Sequence, residues 1–291
     1  MVEKNFYMFP PITDREFPIY IELQHYHSPG DIFPTHWHEH VEFLFMMEGE
    51  LTLTCNGNII EGKKEDLLII NANEIHHLRT NADYVYYYCI VFDTSFIKSS
   101  LIDRSDLDYI IPLANNHIVF KNKISHHSQI NACLKSLIQE YEAKEPAYEL
   151  AVKSSLYHLM TLLIRNGIDT VLSDSTYQKR RCSLNIIQQI LVYLHDHYAQ
   201  DINLPELAGH FNISYYYLCH LFKKYTGTTI LHYANSVRIN KAVELLEHTD
   251  KSITEIATLV GYNDINYFSR IFKREMKYCP SKSNRHAPVR A

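Results

Sequence analysis

The last third of the chain contains one sequence pattern twice. PELAGHFNIS (205–214) is matched by TEIATLVGYN (254–263) at an offset of 49, and YLCHLFKKYTG (217–227) by YFSRIFKREMK (267–277) at an offset of 50. A period of about 50 residues is one supersecondary unit used twice. Apolar residues at helical spacing on either side of a short turn make that unit a helix-turn-helix, present in tandem, with one extra residue in the turn of the second copy. Leu204, Leu207 and Ala208, or Ile253, Ile256 and Ala257, form the short first helix. Ser214 is placed to cap the second helix of copy one, and Asn263 or Asp264 that of copy two. Along that helix Leu218, Leu221, Phe222 and Tyr225 share one face, as do Phe268, Ile271 and Phe272 in the second copy. The opposite faces carry Tyr216, Cys219, His220 and Lys223, and Asn266, Ser269, Arg270 and Lys273. Amide, guanidinium and imidazole groups suit base edges in a major groove, whereas Lys223, Lys224, Lys273 and Arg274 suit phosphates.

The net charge of −5 over 291 residues hides an asymmetry that fits this expectation. From Arg180 onward there are 14 Lys and Arg against 9 Asp and Glu, and before it 14 against 24, an acidic front and a basic back. The longest apolar run, YVYYYCIVF, has nine residues, well short of the ~20 of a membrane helix. MVEKNFYMFPP lacks the basic and apolar regions of a secretory leader. Six scattered cysteines form no CxxC pair and read as reduced thiols. A cytoplasmic protein with no membrane partner is expected. No phosphate-loop, dinucleotide or esterase motif occurs.

The front of the chain changes period. VEFLFMM, ELTLTC, DLLII and YVYYYCIVF are short β-rich runs separated by turn residues, as in a small barrel or sandwich. From Ser128 to Asn166 the period is helical, with Ile130, Leu134, Leu137, Ile138 and Tyr141 and then Val152, Leu156, Leu159, Met160 and Leu163 on apolar faces. Glu145 and Pro146 break the two helices. Such faces either cover the barrel or pair with a second copy, and a homodimer through them is the expectation. The predicted architecture is α+β: a barrel over 1–125, dimerisation helices over 126–168, a polar linker over 169–182 and an all-α domain over 183–291.

Histidines cluster within the barrel. Gly30, His36, His38, Glu42 and Gly49 are separated by five, one, three and six residues, and DLLIINANEIHH adds His76 or His77. Strand alternation places His36, His38, His40 and Glu42 on one face, with His76 approaching from a neighbour and Trp37 pointing away. Three imidazoles and a carboxylate suit zinc, nickel or iron. They equally suit a pocket for a small polar effector, or histidines satisfied inside the barrel.

Two resemblances follow from these residues. LAGHFNISYYYLCHLFKKYTG, and YANSVRINKAVELLEHTDKSITEIATLVGYNDINYFSRIFKREMKYCPSKSNR after it, resemble the AraC/XylS-type bacterial transcription regulators over about the last 105 residues. Lys277 and Ile230 stand where that family usually has Gly and Pro. The histidine spacing resembles the first motif of the cupin barrels, and PTHWHEHVEFLFMMEGELTLTCNG the sensor domain such regulators often carry; Glu65 and Ala72 depart from the second cupin motif. The resemblance implies a double helix-turn-helix joined by a long helix, about Ser236 to Glu247, that holds two recognition helices roughly one DNA turn, ~34 Å, apart. It also implies double-stranded operator DNA, a small-molecule effector such as a sugar or its metabolite, and contact with RNA polymerase if the protein activates. The rival expectation is a metal-dependent cupin enzyme with a DNA-binding tail.

Overall fold

A computed structural model describes residues 12, 14, 16–98 and 101–283. The N-terminal segment read above, 1–11, and the last two residues of the stretch that resembles the AraC/XylS regulators, 284–285, lie outside these residues. The division between two compact units falls between Asn185 and Ile186.

The front unit is an antiparallel sheet organised on one long strand. β1 (Ile19–Tyr26), β2 (Gly30–His36), β3 (Val41–Cys55), β4 (Asn58–Lys63), β5 (Leu67–Ile70), β6 (His76–Thr80) and β7 (Val85–Phe92) follow in sequence. A 3-10 turn at Thr94–Ile97 and a π turn at Asp106–Ile110 lead into α1 (Ile111–Ala114), β8 (Ile118–Phe120) and β9 (Lys123–Ile124). β3 takes part in four ladders: its first half pairs with β7 and β5, its second with β4 and β6. The sheet order β1-β7-β3-β5-β9 is thereby joined to β6 and β2.

β3 also explains why FLFM, directly after Glu42, reads as a continuous apolar run. Leu44 and Met46 point into the barrel with Leu51, Leu53, Leu68, Ile70, Leu78 and Tyr87. Phe43 and Phe45 point outward into a second core with Ile90 and Phe92. That outer core is closed by α2 (Ser128–Ala143) and α3 (Tyr148–Asn166), whose Ile130, Leu134, Leu137, Val152, Leu156, Leu159 and Leu163 belong to it. Leu137 and Leu159 are fully buried within their own chain. The faces expected to pair with a second copy are thus taken up within their own chain: two-sided burial of the sheet requires a cover, and the helices are that cover.

The expected linker is also ordered. Ile168–Val171 forms β10 against β8, and α4 runs Asp174–Asp196 across the division between the units. The Ser173 hydroxyl accepts from the Thr176 N–H at 3.4 Å, so SDST, read as turn-prone, is a helix start.

In the helical unit α5 (Leu204–His210) and α6 (Tyr215–Thr226) form the first helix-turn-helix. The long α7 (Ile230–His248) follows, and α8 (Ile253–Leu259) and α9 (Ile265–Met276) form the second. Ser214 and Asp264 cap α6 and α9, and Ser252 with Glu255 forms a reciprocal capping box on α8. The repeat keeps its backbone in phase. Asn212 and Gly261, 49 apart, both take the left-handed conformation in the turns, at φ 52° and 87°. Gly227 and Lys277, 50 apart, both take it after the recognition helices, at φ 74° and 67°. At Gly261 a Cβ would also stand 2.5 Å from the Ala199 carbonyl oxygen, so only glycine fits. Lys277 bears the cost that glycine avoids. Lys277→Gly should stabilise the helical unit by about 1 kcal/mol, read as a raised midpoint of chemical denaturation. A lowered midpoint would show that the Lys277 Nζ bond to the Arg274 carbonyl, 3.0 Å, outweighs backbone relief. Ile230 is the first residue of α7, where an N–H lacks a helical partner and proline or isoleucine serve alike.

Candidate metal centre and nucleic-acid interface

His36, His38, Glu42 and His76 come together, although not by the alternation expected. β2 ends at His36 and β3 begins at Val41, with a bend at Glu39 and His40 between them. The alternation is broken there, and His40 turns away towards Asp93, 3.8 Å distant. Register does the rest: His36 pairs directly with His76 across β2 and β6, and their rings stand 4.0 Å apart. Trp37 is buried core. His77, the other candidate from the second motif, faces Asp31 at 3.2 Å.

All four residues are buried, between 1% and 6% exposed. Among the described residues, His36, His38 and His76 are the group whose ligand atoms all lie within 4.8 Å of one another. Each ring is oriented by a backbone carbonyl. His36 Nδ1 lies 2.7 Å from the Pro34 oxygen, His38 Nδ1 3.0 Å from that of His40, and His76 Nδ1 2.9 Å from that of Glu74. Only an Nδ1–H can donate to those oxygens, which leaves the Nε2 lone pairs free. Two of these point at one carboxylate oxygen: Glu42 Oε2 is 2.9 Å from His38 Nε2 and 3.4 Å from His76 Nε2. His76 Nε2 has no hydrogen-bond partner.

A neutral imidazole has one N–H, so His38 cannot donate to both the His40 carbonyl and Glu42 without a second N–H and the positive charge that comes with it. Burial, then the charge of His76, hold His36 well below the usual imidazole range, which keeps it a neutral ligand. Burial opposes ionisation of Glu42, but His38 and His76 outweigh it and hold the carboxyl well below the usual carboxylate range. The other carboxylate oxygen accepts from the Cys89 thiol at 3.2 Å, a thiol pushed up by burial and by Glu42 itself. The donor set fits a divalent first-row metal, because a cation between the Nε2 atoms and Glu42 would replace lone-pair repulsion by ligation.

In the helical unit the expected contact residues lie on α6 and α9. Tyr216, His220, Lys223 and Lys224 are exposed and Cys219 half-buried; Asn266, Arg270, Lys273 and Arg274 are exposed and Ser269 half-buried. Arg270 lies over the Tyr267 ring at 5.2 Å, and Arg274 pairs with Glu275 at 2.7 Å. Sequence reasoning missed the aromatic edges of the first helical turns, where Tyr215, Tyr217 and Tyr267 are all exposed. The YYY run directly after the capping Ser214 is the signal for Tyr215 and Tyr217.

The sequence matches the helix-turn-helix domain family over residues 207–286 and the AraC-like ligand binding domain family over residues 18–160. It is 28% identical over 258 residues to the HTH-type transcriptional regulator YdeC of Bacillus subtilis (strain 168), covering 85% of this chain and 84% of that one. It is 32% identical over 150 residues to the HTH-type transcriptional activator RhaS of Klebsiella pneumoniae (strain 342), covering 50% of this chain and 51% of that one. Among solved structures, unsaturated fatty acid-bound ToxT of Vibrio cholerae strain SCE256 aligns with 91% of this chain and 94% of its own, at 14% identity and a TM-score of 0.44. The sequence relatives are transcription regulators, so the rival reading as a cupin enzyme is set aside. With a ligand-binding front and a helix-turn-helix back in one chain, the protein belongs to the AraC family: an effector-controlled, DNA-binding transcription regulator and not an enzyme.

Proposed function

We propose that α6 and α9 read successive major grooves of an operator, and that the front unit governs this binding by taking up a divalent transition metal at His36, His38, Glu42 and His76. The observation that carries the second half is the convergence of carbonyl-oriented imidazoles on a buried carboxylate. Zinc, nickel and iron(II) all accept such ligands. A sugar is less well served, because residues 1% to 6% exposed leave its hydroxyls no approach unless the cluster opens. The cation would neutralise the Glu42 carboxylate and fix the three rings. Its control of DNA binding requires unequal affinity for two conformations of the regulator.

On the DNA side, Tyr216, Cys219, His220, Asn266, Ser269 and Arg270 face the bases, while Lys223, Lys224, Lys273 and Arg274 lie along phosphates. Titration of the full chain onto promoter DNA, with and without zinc and at several salt concentrations, tests both halves. Arg270→Ala is expected to cost roughly 1–3 kcal/mol at one base position, whereas Lys273→Ala weakens all sequences alike and lowers the salt slope by about 1. No preference for promoter over competitor DNA would sink the operator reading, and an operator affinity indifferent to zinc would sink the metal-controlled one.

A further inference from the structure

Glu74 is a second buried carboxylate, 3% exposed, in the turn between β5 and β6. Its Oε2 accepts from the Asn71 N–H and side-chain amide at 3.0 and 3.1 Å, from the Asn122 amide at 2.8 Å and from the Cys55 thiol at 3.2 Å. Its Oε1 accepts from the Asn56 amide at 3.0 Å and from Arg180 at 2.7 Å. Among the described residues Arg180 is the cation paired with it. Arg180 lies 106 positions away on α4, in the part of that helix belonging to the front unit, and α4 continues past Ile186 into the helical unit.

The same three residues serve both sites. The Glu74 carbonyl orients the His76 ring while the Glu74 side chain holds Arg180. Ile75, between them, is pinned on both sides by Asn56: the Asn56 N–H donates to its carbonyl at 2.8 Å, and its own N–H donates to Asn56 Oδ1 at 3.2 Å. Cys55, which donates to Glu74, stands opposite His76 in the β3–β6 register. A displacement of the His76 ring cannot be absorbed by slack in so short and so pinned a segment. Arg180, by contrast, is a releasable partner. The five neutral donor contacts would keep the Glu74 carboxylate satisfied if the guanidinium left.

We propose that the Glu74–Arg180 pair is a latch on α4 whose closure depends on whether the histidine cluster is occupied. This regulation rests on the reading of that cluster as the sensing site. Glu74 and Arg180 are positioning residues: neither ligates the cation nor touches DNA, and they transmit occupancy from His76 to the helix that leads to the readers.

The test uses the full-length chain, zinc as the probe and Arg180→Gln as the variant. Three quantities are read: zinc affinity by chelator competition, operator affinity with and without zinc, and amide hydrogen exchange over residues 174–185. In the parent, zinc is expected to change operator affinity by about 5-fold or more and to alter exchange in that segment. In Arg180→Gln, zinc affinity is expected to stay within about 3-fold of the parent, while both zinc effects disappear. Arg180→Lys, which keeps the charge, should restore part of the coupling. A variant that binds zinc and retains the full operator response overturns the latch alone. A parent that binds no zinc overturns the sensing site and the latch with it. If Arg180→Gln does not fold, exchange in the parent decides: a zinc-dependent change over 174–185 supports the latch, and its absence refutes it.

Discussion

Leu137→Glu combined with Leu159→Glu is expected to unfold the front unit, not to split a dimer. Both leucines are fully buried in the core that α2 and α3 share with Phe43, Phe45 and Phe92. Replacing a buried leucine loses about 2–5 kcal/mol of transfer and packing energy, before any cost of placing a carboxylate there. Two such losses, about 4–10 kcal/mol before the carboxylates are counted, are of the order of the 5–15 kcal/mol stability usual for a whole domain. A thermal melt should lose the transition of the front unit. The helical unit should keep its own, because Ile239, Leu246, Ile256, Phe268 and Phe272 form a separate core. A folded monomer melting as the parent does would return these faces to an intermolecular interface.

His38→Ala is expected to lower zinc affinity by more than about 100-fold, since changing groups that merely orient a ligand already costs 10–100-fold. Basal operator binding should stay within a few fold, because the reading helices lie in the other unit. Cys89→Ala supplies a graded comparison. It removes only the thiol bonded to the outer oxygen of Glu42 and belongs at about 10-fold. Chelator competition with elemental analysis of untagged protein measures both. Stoichiometric zinc with unchanged affinity in His38→Ala would mean that these histidines are structural.

What is legible in the chain is what is local. Helix spacing, caps and even the left-handed positions of the repeat are encoded within a dozen residues, so Ser214 and the α6 and α9 faces can be read directly. The destination of an apolar face is not local: the spacing of Leu134, Leu137 and Ile138 serves a barrel cover and a dimer seam equally. The clue lies elsewhere, in the uninterrupted FLFM of β3, which demands apolar partners on both sides of the sheet. Spacing finds the histidine site even though the alternation expected of it fails. The bend at Glu39 and His40 replaces alternation, and β6 register brings in His76. Glu74 and Arg180 escape because a pair 106 residues apart leaves no periodic trace, and Arg180 sits in a segment that reads as linker.

The tandem arrangement of α6 and α9 sets a direction. Because one chain carries both readers and they present unlike side chains, Tyr216, Cys219 and His220 on one and Asn266, Ser269 and Arg270 on the other, the proposed target is two different short words in a fixed order. Such a site has no two-fold symmetry and reads differently when inverted. A single bound chain would thus mark one orientation along the duplex, and reversing its site would aim the same protein at the gene on the opposite side.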